Sequence, residues 1–138
     1  MRPVVVALGL LAACAPVPRY GNFLPEGDGV AGALAQDACR KVSAVIAAEV
    51  ERVQLVHERQ DPFAHRLSAC LRKAGYAVWS PRRSSAGAVR IAYVVDRIAG
   101  ARLLRMTLLA DRQRFSRAYR QVGERPQPVG PWTAVGGE

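Results

Sequence analysis

Long apolar runs are missing from this chain of 138 residues. No stretch reaches the roughly 18 residues of a membrane-spanning helix, so none is expected. Histidine is scarce, with only His57 and His65, and cysteine stops at three positions, Cys14, Cys39 and Cys70. Cys39 and Cys70 lie far apart with both histidines between them, which fits no zinc spacing, and no metal site is expected. Catalytic arrangements are equally thin. Ser68 or Ser116 could pair with His57 or His65, with Asp61 or Asp96 as the orienting group, but neither serine sits in a G-x-S-x-G elbow. His65, on a helix face beside Arg66, reads as a solvated side chain. Glu49 and Glu51 point apart on a helix rather than flanking one bond. No glycine-rich loop resembles a phosphate cradle. The chain therefore reads as a non-enzyme without a cofactor.

Lysine is also nearly absent. Of the twenty basic side chains only Lys41 and Lys73 are lysine, against eleven acidic ones, giving a net charge of +9. Half of the residues are apolar, which excludes a disordered polyelectrolyte. The length suits one small domain, its core supplemented by a partner, a disulfide or a lipid anchor.

What is present begins at the N-terminus. Arg2 precedes an apolar run from Pro3 to Ala13, too short to span a bilayer but the length of a signal-peptide h-region. It ends Leu11-Ala12-Ala13-Cys14: a branched residue, two small residues and a cysteine, as in the lipobox of bacterial lipoproteins. Small side chains admit the signal peptidase, and the Cys14 thiol would carry diacylglycerol while a further acyl group, such as palmitate, caps the new N-terminus. Two or three acyl chains give stable anchoring, at ~0.8 kcal/mol per buried CH₂. The alternative is an ordinary signal peptide with an accidental cysteine. Ala15, rather than aspartate, follows the cysteine and favours export to the outer membrane, with the protein facing the periplasm. Cleavage of residues 1–13 removes Arg2 alone and lowers the side-chain charge from +9 to +8.

With Cys14 acylated, Cys39 and Cys70 remain as an even pair in an oxidising compartment. They form either a disulfide between two helices or two buried free thiols.

Residues 14–36 read as a lipid-anchored tether rich in glycine, proline and alanine. Within it Tyr20-Gly21-Asn22-Phe23-Leu24 is too apolar for a free linker. Either Tyr20, Asn22, Phe23 and Leu24 dock another protein, or the segment folds back on its own domain. Residues 37–122 read as an α+β domain, with two helices packed on a mainly antiparallel sheet. Asp37 is expected to cap a helix reaching Arg52, and residues 54–57 to form a short strand. Asp61-Pro62 opens a second helix that stops at Gly75, with Tyr76–Trp79 as a strand after it. Pro81–Gly87 reads as a basic loop, and a three-stranded meander follows over residues 89–96, 103–110 and 114–121. Residues 123–138 read as an irregular C-terminal tail.

Arg112, Arg114, Arg117 and Arg120 cluster on the last predicted hairpin, near the Arg82-Arg83 loop in charge if not in sequence. Such a cluster can bind an anionic envelope ligand or an acidic partner. It can also be the solvated face of an edge strand. Export from the cytoplasm argues against nucleic acid as a routine partner.

The short lipobox, Pro18-Arg19-Tyr20-Gly21-Asn22-Phe23 soon after it, and a single small α+β domain together resemble the conjugal transfer lipoprotein family TrbH. The resemblance implies a structural part of the type IV secretion apparatus for plasmid transfer. It implies docking of outer-membrane core-complex subunits through Tyr20, Asn22 and Phe23, and a domain that packs against neighbouring copies in a ring. A lone binding module or assembly factor for an anionic envelope ligand, working through the arginine-rich hairpin, is the rival reading.

Overall fold

The computed structural model describes residues 20–25, 29–47, 52–56, 61–79 and 87–135. In chain order these form β1 (Gly21–Asn22), α1 (Ala31–Val45), β2 (Arg52–Val56), α2 (Pro62–Lys73), β3 (Ala77–Trp79), β4 (Val89–Arg97), β5 (Leu103–Ala110), β6 (Gln113–Val122), β7 (Arg125–Pro128) and β8 (Thr133–Ala134). They make one mixed sheet in the order β3-β2-β4-β5-β6-β7. The two shortest strands fill gaps at its sides. β1 runs parallel to β4 at Val94 and Val95, beyond the point where β2 stops pairing, and β8 pairs with β6 at Phe115 and Ser116.

The sequence explains the antiparallel half. In β4, Ile91, Tyr93 and Val95 are buried and alternate with Arg90, Ala92, Val94 and Asp96, so one face is apolar. The register carries that face across the meander: Tyr93 lies opposite Leu108, which lies opposite Phe115. Between β5 and β6 the two residues Asp111 and Arg112 make the turn, and Asp111 adopts φ 56°, a conformation that aspartate tolerates better than bulkier residues.

Local signals also set the second helix. Asp61 Oδ1 accepts the Ala64 N–H at 2.7 Å and Pro62 occupies the first turn. At its other end Gly75, with φ 103°, closes a Schellman motif: its N–H reaches the Arg72 carbonyl and the Tyr76 N–H reaches that of Leu71, both at 3.0 Å.

Both helices cover the same sheet face. Leu34, Ala38 and Val42 of α1 and Phe63, Leu67 and Leu71 of α2 pack with Leu55, Ile91, Val95, Leu104, Met106 and Leu108. Cys39 and Cys70 form a disulfide between the helices, with Cα atoms 6.2 Å apart.

Besides shifts of one residue at the ends of β3, β4 and β6, four larger differences from the sequence expectation stand out. Helix α1 runs from Ala31 to Val45, so Asp37 sits in its middle and caps nothing. Alanines at 31, 33, 35 and 38 favour helix as well as they favour a linker. The domain extends upstream through β1 and Leu24, which is buried in the core, so residues 20–25 are not free tether. Downstream, β7 and β8 pair with β6, so 123–135 are not an irregular tail. Residues 52–56 rather than 54–57 form β2. Cys14, the signal peptide, Glu49, Glu51, His57 and the Arg82-Arg83 loop lie outside the described residues.

Two stability measurements follow. Replacing Cys39 and Cys70 by serine lowers the unfolding free energy in urea by about 3–4 kcal/mol, the chain-entropy value for a loop of this size. Asp61→Ala lowers it by about 2–3 kcal/mol, one helix cap plus one buried hydrogen bond.

Candidate interaction surface

The N-terminal segment is laid along the edge of β4. The Phe23 N–H donates to the Val95 carbonyl at 2.7 Å, and the Asn22 side chain accepts the Leu24 N–H at 3.0 Å, turning the chain inward. Asp61 Oδ2 accepts the Tyr93 hydroxyl at 2.7 Å and the Asn22 N–H at 3.3 Å. The Tyr93 ring packs on Phe63, with centroids 4.5 Å apart. One carboxylate thus joins β1, β4 and α2. Leu24 is enclosed, whereas the Phe23 side chain remains 44% exposed.

A second carboxylate organises the far side. Asp37, at the middle of α1, is the buried charged residue among the described residues. It accepts a short hydrogen bond from the Tyr119 hydroxyl, and it pairs with Arg117 at 3.0 Å and with the exposed Arg40 at 3.3 Å. Arg117 also donates Nε–H to the Gly130 carbonyl at 2.8 Å and stacks over Tyr119 and Trp132. It is therefore the link between α1, β6 and the C-terminal segment.

Among the described residues, the opposite sheet face carries no helix. A groove of about 560 Å³ crosses it over β4, β5 and β6. Its floor includes Ala92, Val94, Thr107, Leu109 and Ser116; Tyr20 and Val135 line it from the two chain ends, with Arg105 and Arg114 beside them. Arg105 is held by Asp96 in a two-point bond at 2.6 and 3.1 Å, and that bond raises its guanidinium pKa above the ordinary value.

The structure keeps Tyr20, Asn22, Phe23 and Leu24 together, but divides their tasks: Asn22 and Leu24 fasten the segment, and Phe23 faces outward. It does not keep the four arginines together. Arg117 lies on the helix-covered face in contact with Asp37, Arg114 and Arg120 lie on the helix-free face, and Arg112 is in the turn. The parity of β6 in the sequence already separates Arg117 from Arg114 and Arg120; the partner Asp37 could not be found without the fold. Of the residues weighed for catalysis, His65 is exposed on α2, Ser116 is on the helix-free face beside Thr107, and Asp61 is under α2 on the other side. Among the described residues no group of three or more His, Cys, Asp or Glu could hold a metal ion, and no helix is long and apolar enough to cross a membrane.

A family model described as "Conjugal transfer protein TrbH" matches residues 17–138. No curated protein and no solved structure matches the chain significantly.

Burial, and then hydrogen bonding to Asp61 and Asp37 respectively, push the Tyr93 and Tyr119 hydroxyls far above the ordinary tyrosine value of 10.0. The unfolded chain releases these protons near pH 10 while the folded one keeps them, so the unfolded state binds fewer protons at higher pH. Stability from both groups is complete below pH 10 and declines above it, by up to about 1.4 kcal/mol per pH unit for each tyrosine. Urea denaturation between pH 9 and 12 checks this, and the decline is about half as steep in Tyr93→Phe or Tyr119→Phe. Removing Arg117 (Arg117→Ala) lowers stability by about 3 kcal/mol at neutral pH, because the Asp37 charge loses its buried counter-ion.

Proposed function

Because the chain belongs to the conjugal transfer protein TrbH family, we propose that it is a structural lipoprotein of the conjugation apparatus, a type IV secretion system. Acyl chains on Cys14 fasten it to the outer membrane, facing the periplasm. The segment from Tyr20 to Leu24 docks core-complex subunits of the channel, and several copies gather in a ring. The reading assigns no catalysis, no cofactor beyond the covalent lipid and no routine nucleic-acid partner.

One observation carries the docking part. The backbone of Gly21, Asn22 and Phe23 is fixed on β4, yet Phe23 stays nearly half exposed. A large apolar side chain on an immobilised backbone is a low-entropy anchor for a partner's pocket, since the ordering cost has been met within the fold. Asn22 and Leu24 serve the same end indirectly, by holding that backbone in place. The reading of the arginine hairpin as a compact anion site loses support, because Arg117 is committed to Asp37.

Two measurements test the proposal. Labelled palmitate is incorporated by the parent chain and not by Cys14→Ser, which fractionates away from the outer membrane; an unlabelled, soluble parent removes the anchor. Tyr20→Ala with Phe23→Ala lowers co-purification of outer-membrane core proteins at least about tenfold, the scale of losing one interface anchor. Full recovery with an unchanged melting curve removes the docking role.

A further inference from the structure

We propose that the helix-free face of the sheet docks on anionic phospholipid headgroups of the membrane that holds the lipid anchor. This inference rests on the acylation of Cys14 proposed above. Charge comes first. Strand register puts Arg52, Arg90, Arg105, Arg114, Arg120 and Arg125 on this face. Against them, Asp96 is the acidic strand residue on the same face, and it is engaged by Arg105. Arg90, Arg114 and Arg120 are exposed, and their guanidinium groups make no hydrogen bond or ion pair to another described residue. Guanidinium forks match phosphodiester oxygens two at a time, and they are less strongly hydrated than ammonium groups.

Reach comes second, and it decides between a membrane and an acidic protein. The described part of the domain begins with Tyr20, which lines the groove on this same face. Five residues, and so six backbone steps, separate Cys14 from Tyr20. Fully extended they span at most about 20 Å. A leash that short keeps the Tyr20 end of the domain close to the headgroups, and the part of the domain nearest the leash is the basic face. Attraction between a basic surface and an anionic leaflet acts within about a Debye length of 8–10 Å, a range that a leash of about 20 Å lets this face enter repeatedly. Between the arginines the groove offers Ala92, Val94 and Leu109 with the Tyr20 ring at the rim, a polar-and-apolar mixture suited to a bilayer interface.

The test uses the processed, acylated protein in vesicles of phosphatidylcholine alone or with about 30% phosphatidylglycerol. Arginines are modified with phenylglyoxal and read by peptide mass. In anionic vesicles Arg90, Arg114 and Arg120 are expected to react at least about fivefold more slowly than in neutral ones, with the difference lost in about 0.5 M NaCl. Arg66 and Arg72 on α2 are the internal control and react equally in both. The variant Arg90→Glu, Arg114→Glu, Arg120→Glu, all surface positions, is expected to abolish the lipid-dependent protection of Arg52 and Arg125. Equal reactivity on both faces in both vesicles overturns the inference while leaving the anchor standing. Protection in neutral vesicles that appears only with added polyglutamate also overturns it and assigns the face to an acidic protein segment. The same digest reports the mass of the Cys14 peptide. An unacylated Cys14 overturns the anchor, and this inference with it.

Discussion

A carboxylate at position 61 closes three separate pieces of chain on one another, and the N-terminal surface depends on it. Asp61 caps α2 through Ala64, accepts the buried Tyr93 hydroxyl of β4 and accepts the Asn22 N–H of β1. β1 has only two residues, too few to hold a sheet edge on ladder bonds alone. The added bond from Asp61 and the burial of Leu24 supply what the ladder lacks. The exposed Phe23 is thereby presented from a fixed backbone.

Asp37 does the corresponding work at the other side of the sheet, at a higher desolvation cost. It lies within the core and is tolerated there because Tyr119, Arg117 and Arg40 all face it. The disulfide joins the two helices that carry these polar centres, and so ties the α1 side of the fold to the α2 side. A small core is thus secured by two polar joints and one covalent one, as expected for a short chain.

Much of this was legible in the sequence, and the failures have one cause. The Asp61-Pro62 start, the Gly75 stop and the strict alternation of 89–96 are local signals, and α2 and β4 follow them. The two-helix α+β architecture and the TrbH resemblance were also readable from residues. The two ends were not. Alanine-rich 31–38 and proline-bearing 125–128 carry linker-like composition, and only pairing with distant residues gives them structure. The four hairpin arginines were adjacent in sequence but were separated by the two-residue period of a strand. The buried role of Arg117 depends on Asp37, eighty residues away.

Position along β7 has a further meaning. The Val129 N–H donates inward to the Ala118 carbonyl, so by strand alternation the nitrogens of Pro126 and Pro128 point away from β6. Proline has no hydrogen to offer at those points, so the outer rim of the sheet gives a newcomer carbonyl acceptors there but no donors. However concentrated they become, copies of this protein are denied fibre growth by runaway strand addition along that rim.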